Sequence, residues 1–411
     1  MSWDDTLIEN VCNVKGGKRL PAGHNLTDEV TFHPYIRARD IREGKINFTD
    51  PKYISDDTHQ KISRYIVNEG DVIITIVGAN IGDVAYVTKE FDGANLTENA
   101  VKISAKRELL DSRFLKYALL PEYAKEYMQI VASGAAQGKL GLYKIKKLPI
   151  PYPPLPIQKK IAGVLSAYDD LIENNLKRIK LLEELAQITY EEWFVRLRFP
   201  GHETTPVNPE TALPEGWERL KLGDTCNLTM GQSPKSEFYN TTGEGLPFHQ
   251  GVKDYGFRFP TNTYWSTEGT RYAEHGDILF SVRAPVGRLN IATEKMILGR
   301  GLAAIRHKKN AQGYICCLLK KQFFEEDMMG GGAIFNSVTK NDMLRIETVE
   351  PDQATLEKFS VFADATDREI ENLHNQNQRL REARDILLPR LMTGMIDVEQ
   401  YDPADLLKKV A

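Results

Sequence analysis

A chain of 411 residues with 41% hydrophobic side chains and a net charge of −4 has room for two or three domains with ordinary soluble cores. No stretch approaches the roughly 20 apolar residues of a membrane span, and Met1-Ser2-Trp3-Asp4-Asp5 has neither the basic nor the apolar part of a secretory signal. Cys12, Cys226, Cys316 and Cys317 show no metal-ligand spacing and no disulfide framework, and the histidines are scattered, so the expectation is a cytoplasmic protein with reduced thiols and no metal site.

Residues 1–150 read as a mixed α/β domain. Asp71–Val77 is a β-rich run closed by Gly78, and Ala85–Thr88 and Ala100–Ile103 are further short strands. Ser112 is the expected N-cap of a helix through Leu119, stopped before Pro121, and a second helix is expected from Glu122 to Val131. A spacer helix follows Pro153-Pro154-Leu155-Pro156 within residues 151–199. Its seam alternates by four and three through Ile161, Leu165, Tyr168, Ile172, Asn175, Ile179, Leu182, Ala186, Thr189 and Trp193. Running from Pro156 to about Arg198, it would be roughly 65 Å long. Residues 200–215 carry Pro200, Pro206, Pro209 and Pro214 and read as an extended linker. Residues 216–350 repeat the first domain, with Asp277–Val282 and Gly301–Ile305 as strands. Residues 351–394 form a second spacer helix with Asp352 as N-cap, ahead of a tail at 395–411. Its seam is Phe359, Ala363, Thr366, Ile370, Leu373, Asn377, Leu380, Arg384 and Leu387, and Pro389 should end or kink it near Leu388. Asn175 and Asn377 interrupt the two seams as register-fixing polar residues do.

The halves are internal copies. Adding 198 to Gly134-Ala135, Pro153, Lys160, Ala167, Asp169, Ile172-Glu173-Asn174, Leu182, Glu184 and Ile188 lands on the same residue type each time. Gly70-Asp71 recurs as Gly276-Asp277, and Trp3 and Cys12-Asn13 recur as Trp217 and Cys226-Asn227. A globule, long helix, globule, long helix order predicts an α+β protein of pseudo-twofold character. Two similar globules would be separated by an antiparallel intramolecular coiled coil, suited to a partner with two similar sites. A duplication with no symmetric partner is the plainer alternative.

No catalytic motif is complete. Gly134-Ala-Ala-Gln-Gly138-Lys139-Leu140 has too few residues between its glycines for a phosphate loop, and Leu where a hydroxyl is needed. Pro151-Tyr152-Pro153-Pro154 lacks the Asn or Asp of an adenine-methyltransferase loop, and Asp352 with Glu357-Lys358 falls at a helix start instead of in a nuclease core. Charge, however, is segregated. Between Tyr127 and Tyr168 there is no acid but six lysines, and between Ile278 and Phe324 nine Lys or Arg face the single acid Glu294. In the first half Lys15, Lys18 and Arg19 flank Gly16-Gly17 in a basic, Gly-rich loop whose side chains and N–H groups suit phosphates. Arg37, Arg39, Gln137, Lys139 and Lys144 add donors. The second half offers Gln232, Ser233, Lys235, His249, Gln250, Lys253, Arg283 and Arg288. Arg and Gln in such loops read guanine and adenine edges, so these residues are the candidate DNA-binding set of a non-catalytic chain.

Three segments resemble a known family. Leu213-Pro-Glu-Gly-Trp-Glu-Arg-Leu-Lys-Leu-Gly-Asp224 resembles the opening of a target recognition domain, and Gly276-Asp-Ile-Leu-Phe-Ser-Val-Arg-Ala-Pro-Val-Gly287 its strand-and-turn signature. Leu148-Pro-Ile-Pro-Tyr-Pro-Pro-Leu-Pro-Ile-Gln-Lys-Lys-Ile-Ala162, with Leu171-Ile-Glu-Asn-Asn175, resembles the first conserved spacer. The second spacer departs from the pattern: Val349-Glu-Pro-Asp-Gln353 lacks the double proline, and Phe335-Asn336 replaces the usual Gln. The family is the specificity (S) subunit of type I restriction–modification systems. The resemblance implies two domains, each reading half of a bipartite target in double-stranded DNA, with the coiled coil spacing them. It also implies two methyltransferase (M) subunits, which methylate adenine N6 with S-adenosylmethionine, and restriction (R) subunits driven by ATP and Mg2+. No cofactor is expected in this chain and no membrane partner. Two alternatives stay open: the specificity subunit of a two-subunit methyltransferase without a nuclease, and a coiled-coil adaptor that does not touch DNA.

Overall fold

In a computed structural model, residues 3–133, 138–328 and 337–398 are described. The chain divides into two compact units, one of residues 1–175 with 376–411 and the other of residues 176–375. Each unit is built on a four-stranded antiparallel sheet of the same topology. In unit 1 the order is Cys12–Gly16, Ala100–Ala105, Val72–Thr75, Val84–Tyr86; in unit 2 it is Cys226–Met230, Leu302–His307, Ile278–Ser281, Leu289–Ile291. A two-stranded ribbon accompanies each sheet, Asp5–Leu7 with Pro149–Pro151 and Glu218–Lys221 with Glu347–Glu350. The strands expected around Ile73 and Leu279 are the sheet centres, where all four residues of each strand are buried.

Between these shared strands the units differ. Both keep one parallel pairing, which in unit 1 joins Tyr35–Ile36 to Asn95–Leu96, and unit 1 adds the helix Asp56–Ile62. Unit 2 inserts a five-stranded sheet around the parallel pairing of Leu246–His249 with Met296–Leu298. The helix Ser112–Leu119 is capped by Asp111, not Ser112. The Asp111 carboxylate accepts the N–H groups of Arg113 and Phe114 at 3.0 and 2.9 Å, which the shorter Ser112 hydroxyl one position later does not do.

The first long helix spans Leu155–Tyr190 and the second Gln353–Met392, 36 and 40 residues or ~54 and ~60 Å. The first begins where Pro153 and Pro154 end the preceding strand, and the buried Gln158 side chain ties its start to Pro153 O and to the Asp111 N–H. Asp352 caps the second as expected, accepting from the N–H groups of Ala354 and Thr355 and from Trp217 Nε1. Two expectations are corrected at the far ends. The first helix widens into a π turn at Glu191–Val195 and stops at Leu197, in the left-handed region, so Arg198 lies beyond it. The second runs through Pro389 to Met392, because burial of Leu388, Leu391 and Met392 in the unit 1 core outweighs the one lost hydrogen bond.

The four-three seams are the buried stripes over most of their length, antiparallel within each unit; at the end of the first helix Tyr190 and Phe194 are buried in place of the expected Thr189 and Trp193, which are half-buried because the stripe turns there toward the unit 2 core. In unit 1 Ile161, Leu165 and Ile172 are buried, and the seam steps from Leu380 and Leu387 (half-buried) to fully buried Leu388. There Asn175 Nδ2 donates to Asn377 Oδ1 at 3.0 Å. The polar seam position Arg384 reaches Asp169 Oδ1 at 2.7 Å, where Lys116 Nζ (2.5 Å) and the Tyr117 hydroxyl (2.7 Å) converge on the other carboxylate oxygen. In unit 2 Ile179, Leu182, Ile370 and Leu373 pack with Phe259, beside an Arg178–Glu369 ion pair at 2.7 Å. Tyr190, Phe194, Trp217, Tyr314 and Phe359 then join the helix ends to the unit 2 core, with Phe194 edge-on to Tyr314 and Phe359 at 4.8 and 5.0 Å.

The seam generates two predictions. Asn175→Leu alone strands Asn377 among apolar neighbours and should lower stability by about 2 kcal/mol in urea denaturation, whereas Asn175→Leu with Asn377→Leu should be neutral or stabilising. Burial alone would raise the Asp169 carboxyl, but Lys116, with Tyr117 and Arg384, holds it down at about 2. A depressed carboxyl stabilises the fold above its unfolded pKa of about 4 and loses that contribution as pH falls toward the folded value. Asp169→Asn should therefore cost about 3 kcal/mol at pH 7, and progressively less below about pH 4, in denaturation curves taken across pH.

Candidate nucleic-acid interface

The basic, Gly-rich loop is not a free phosphate cradle. Its N–H groups are spent on the sheet: Gly17 donates to Ala100 O at 3.0 Å and Lys18 to Leu96 O at 2.9 Å. A Cβ on Gly17 would collide with the carbonyl oxygens of Leu96 and Thr97, so glycine is required by close backbone approach. Unit 2 repeats the device. Gly231 donates to Leu302 O and Gln232 to Leu298 O, both at 2.9 Å, and a Cβ on Gly231 would strike Gly299 O. What the loop offers is its side chains.

In unit 1 Lys15, Lys18, Arg19, Arg39 and Lys139 are exposed. Lys18 lies over the Tyr65 ring, its Nζ 5.7 Å from the centroid. Arg19 Nε donates to Glu98 Oε1 at 2.8 Å, while Arg39 stands 3.7 Å from Asp50. Lys139 is held beside Val77 by a bridge, and Leu140 N–H donates to Ile76 O, which brings the 138–140 segment to the same sheet. Two candidates are corrected. Arg37 is turned inward, with bonds of 2.8 Å to Asp40 and 3.1 Å to Asp50, so its guanidinium braces a turn. Lys144 donates to Val131 O at 2.6 Å and is half-buried. Gln137 lies outside the described residues.

In unit 2 Gln232, Lys235, Gln250, Lys253, Arg283 and Arg288 are exposed and Ser233 is half-buried. Arg283 is bridged to Ser337, the counterpart of the Val77–Lys139 bridge. Lys235 is 3.6 Å from Glu237, and Lys253 sits over the Tyr264 ring. His249 is the third correction. Its ring is fully buried and bonded to Asn262 Oδ1 at 2.9 Å, and burial lowers its pKa, so it is a core histidine. Gln250, Gly251, Ser281, Arg283, Arg300 and Gly301 line a cleft of about 190 Å³. Arg300 and Glu98 were missed in the sequence. Only alignment of residues 96–100 with 298–302, an offset distinct from those of the flanking repeats, would have marked them.

Burial pushes the Cys12 thiol up to about 12 and the Cys226 thiol up to about 11, so both stay protonated. No group of His, Cys, Asp or Glu able to hold a metal occurs among the described residues, and no described helix is long and apolar enough to cross a membrane.

Two copies of one α/β unit, each with a glycine-tethered edge bearing exposed polar and basic side chains, define a duplicated recognition subunit. The sequence pattern of the type I restriction modification DNA specificity domain matches twice, over residues 2–184 and 214–378. The chain is 30% identical over 374 residues to the putative type I restriction enzyme MjaX specificity subunit of Methanocaldococcus jannaschii, covering 89% of this chain and 88% of that one. It is 25% identical to the MjaIX specificity subunit of the same organism, over 97% and 94%. The fold is shared with the crystal structure of a type I restriction-modification system S subunit from M. genitalium, at a TM-score of 0.59 and 17% identity over 95% and 96% of the two chains. The chain belongs to the type I restriction–modification DNA specificity family.

The glycine tether yields a prediction. Gly17→Ala and Gly231→Ala should each cost about 2 kcal/mol, because the added methyl meets backbone that has no rotamer to escape into. Thermal or urea denaturation of the two variants checks it.

Proposed function

We propose that this chain is the sequence-reading subunit of a type I restriction–modification complex, each unit reading one half of a bipartite target in double-stranded DNA. The observation that carries the reading is the duplicated edge: the same glycine-tethered backbone presents Lys18-Arg19 in one unit and Gln232-Ser233 in the other. A shared scaffold with unlike side chains suits two unlike half-sites. Lys15, Lys18, Arg39 and Lys139 in unit 1, and Lys235, Lys253 and Arg288 in unit 2, would position the duplex through its phosphates, while Gln232, Gln250 and Arg283 face base edges. Methyltransferase subunits, two for the two units, dock on the chain and use S-adenosylmethionine to methylate adenine N6. Restriction subunits bring ATP- and Mg2+-dependent cleavage, and the complex works in the cytoplasm on genomic and incoming DNA. The names of the relatives, which are restriction-enzyme specificity subunits, support this assembly.

The test is a domain exchange. Residues 216–350 are replaced by the second domain of another family member, and methylated adenines are mapped in DNA exposed to the chain with its methyltransferase partner. One half of the methylated sequence should change while the other stays. If both halves changed together, the units would not read independently.

A further inference from the structure

The tethered edges align the two units residue by residue. Gly17 and Lys18 donate to Ala100 and Leu96, and Gly231 and Gln232 donate to the matching Leu302 and Leu298. These four bonds place Arg19 opposite Ser233 in the comparison, and Glu98 opposite Arg300. The two positions touch in both units. In unit 1 Arg19 Nε donates to Glu98 Oε1 at 2.8 Å; in unit 2 the Arg300 N–H donates to Ser233 Oγ at 3.2 Å.

The two positions adjoin in both units, through side chains in unit 1 and through the Arg300 backbone N–H in unit 2, and the charge they present is inverted. Unit 1 presents a carboxylate neutralised by an exposed arginine. Unit 2 presents an exposed guanidinium with no ion pair among the described residues, in a cleft lined with Gln250 and Arg283 and without a carboxylate. An arginine at position 233 would bring a second cation beside Arg300, and a serine at position 19 would leave Glu98 with the Thr97 hydroxyl and no cation. The residues at the two positions therefore suit each other within each unit.

We infer that this pair is a specificity-determining element. Arg300 donates to O6 and N7 of a guanine in the half-site read by unit 2. In unit 1 Glu98 holds Arg19 away from such a contact and accepts from an exocyclic amino group. The inference rests on the reading of the units as DNA binders.

The full chain, assembled with its methyltransferase subunits, is incubated with a pool of random-sequence duplexes, and the bound fraction is sequenced. Arg300→Ala should reduce the preference for guanine at one position of one half-site by roughly tenfold to a hundredfold, leaving the other half-site unchanged. Ser233→Arg with Arg300→Glu, which installs the unit 1 pair, should abolish that guanine. Arg300→Ala removes only exposed atoms, so it keeps the test open should the double variant fold poorly. An unaltered half-site overturns the inference. So does a loss of affinity equal for all sequences with a salt slope flattened by about 0.9, the mark of a phosphate contact. A wild-type chain that enriches no sequence would sink the DNA-reading assignment itself, whereas an unaltered half-site in a chain that does enrich one sinks only the role of Arg300.

Discussion

The core of each unit is closed by segments of both long helices, and those segments must meet in register before either sheet is covered. In unit 1 Ile157, Ile161 and Leu165 share one cluster with Leu388, Leu391 and Met392 and with Phe114 and Leu115 of the globular part. In unit 2 Tyr190 and Phe194 close on Leu356 and Phe359 in the same way. An apolar seam alone is nearly indifferent to sliding by a heptad. The Asn175–Asn377 bond, between residues 202 positions apart, removes that freedom, because any shift buries two unpaired amides. A polar interruption thus gives up some stability at one point and secures the alignment that the unit 1 core needs.

Duplication and divergence are visible in the paired carboxylates of the long helices. Asp169 and Asp367 occupy matching helix positions, 198 residues apart, and each binds a cation. Unit 1 supplies Lys116 from a sheet-covering helix and Arg384 from the second long helix; unit 2 supplies Arg258 from a loop of its own insertion, shared with Glu183. Asp169 is buried and needs its cations, whereas half-buried Asp367 takes its cation from a different place in the fold. The acid is the inherited element and its partner the replaceable one.

The same division runs through the glycine-tethered edges. Backbone bonds and the need for glycine at positions 17 and 231 hold the path of the chain, and these do not depend on the neighbouring side chains. Residues 18 and 232 can then vary without moving the scaffold, while 19 and 233 are each matched to a neighbour, the Glu98 carboxylate and the Arg300 N–H. Such a separation lets exposed side chains change, since a residue that also packs the core cannot change for another purpose alone.

Much of the architecture was legible from periodicity. The four-three seams, the interrupting asparagines, the Asp352 cap and the central strands all depend on local pattern, and local pattern is what a sequence states directly. The tertiary structure decided what depends on partners distant in the chain. Pro389 stays helical because Leu388, Leu391 and Met392 are buried, and Arg37 and His249 are internal because Asp40, Asp50 and Asn262 are folded against them. Arg300 and Glu98 gain meaning only when two strand ends are brought beside two loops. By itself the sequence determined the duplicated order of sheets and helices, since hydrophobic period acts over a few residues. Which polar side chains face outward was decided by the fold, because exposure is set by neighbours that the chain brings together from far apart.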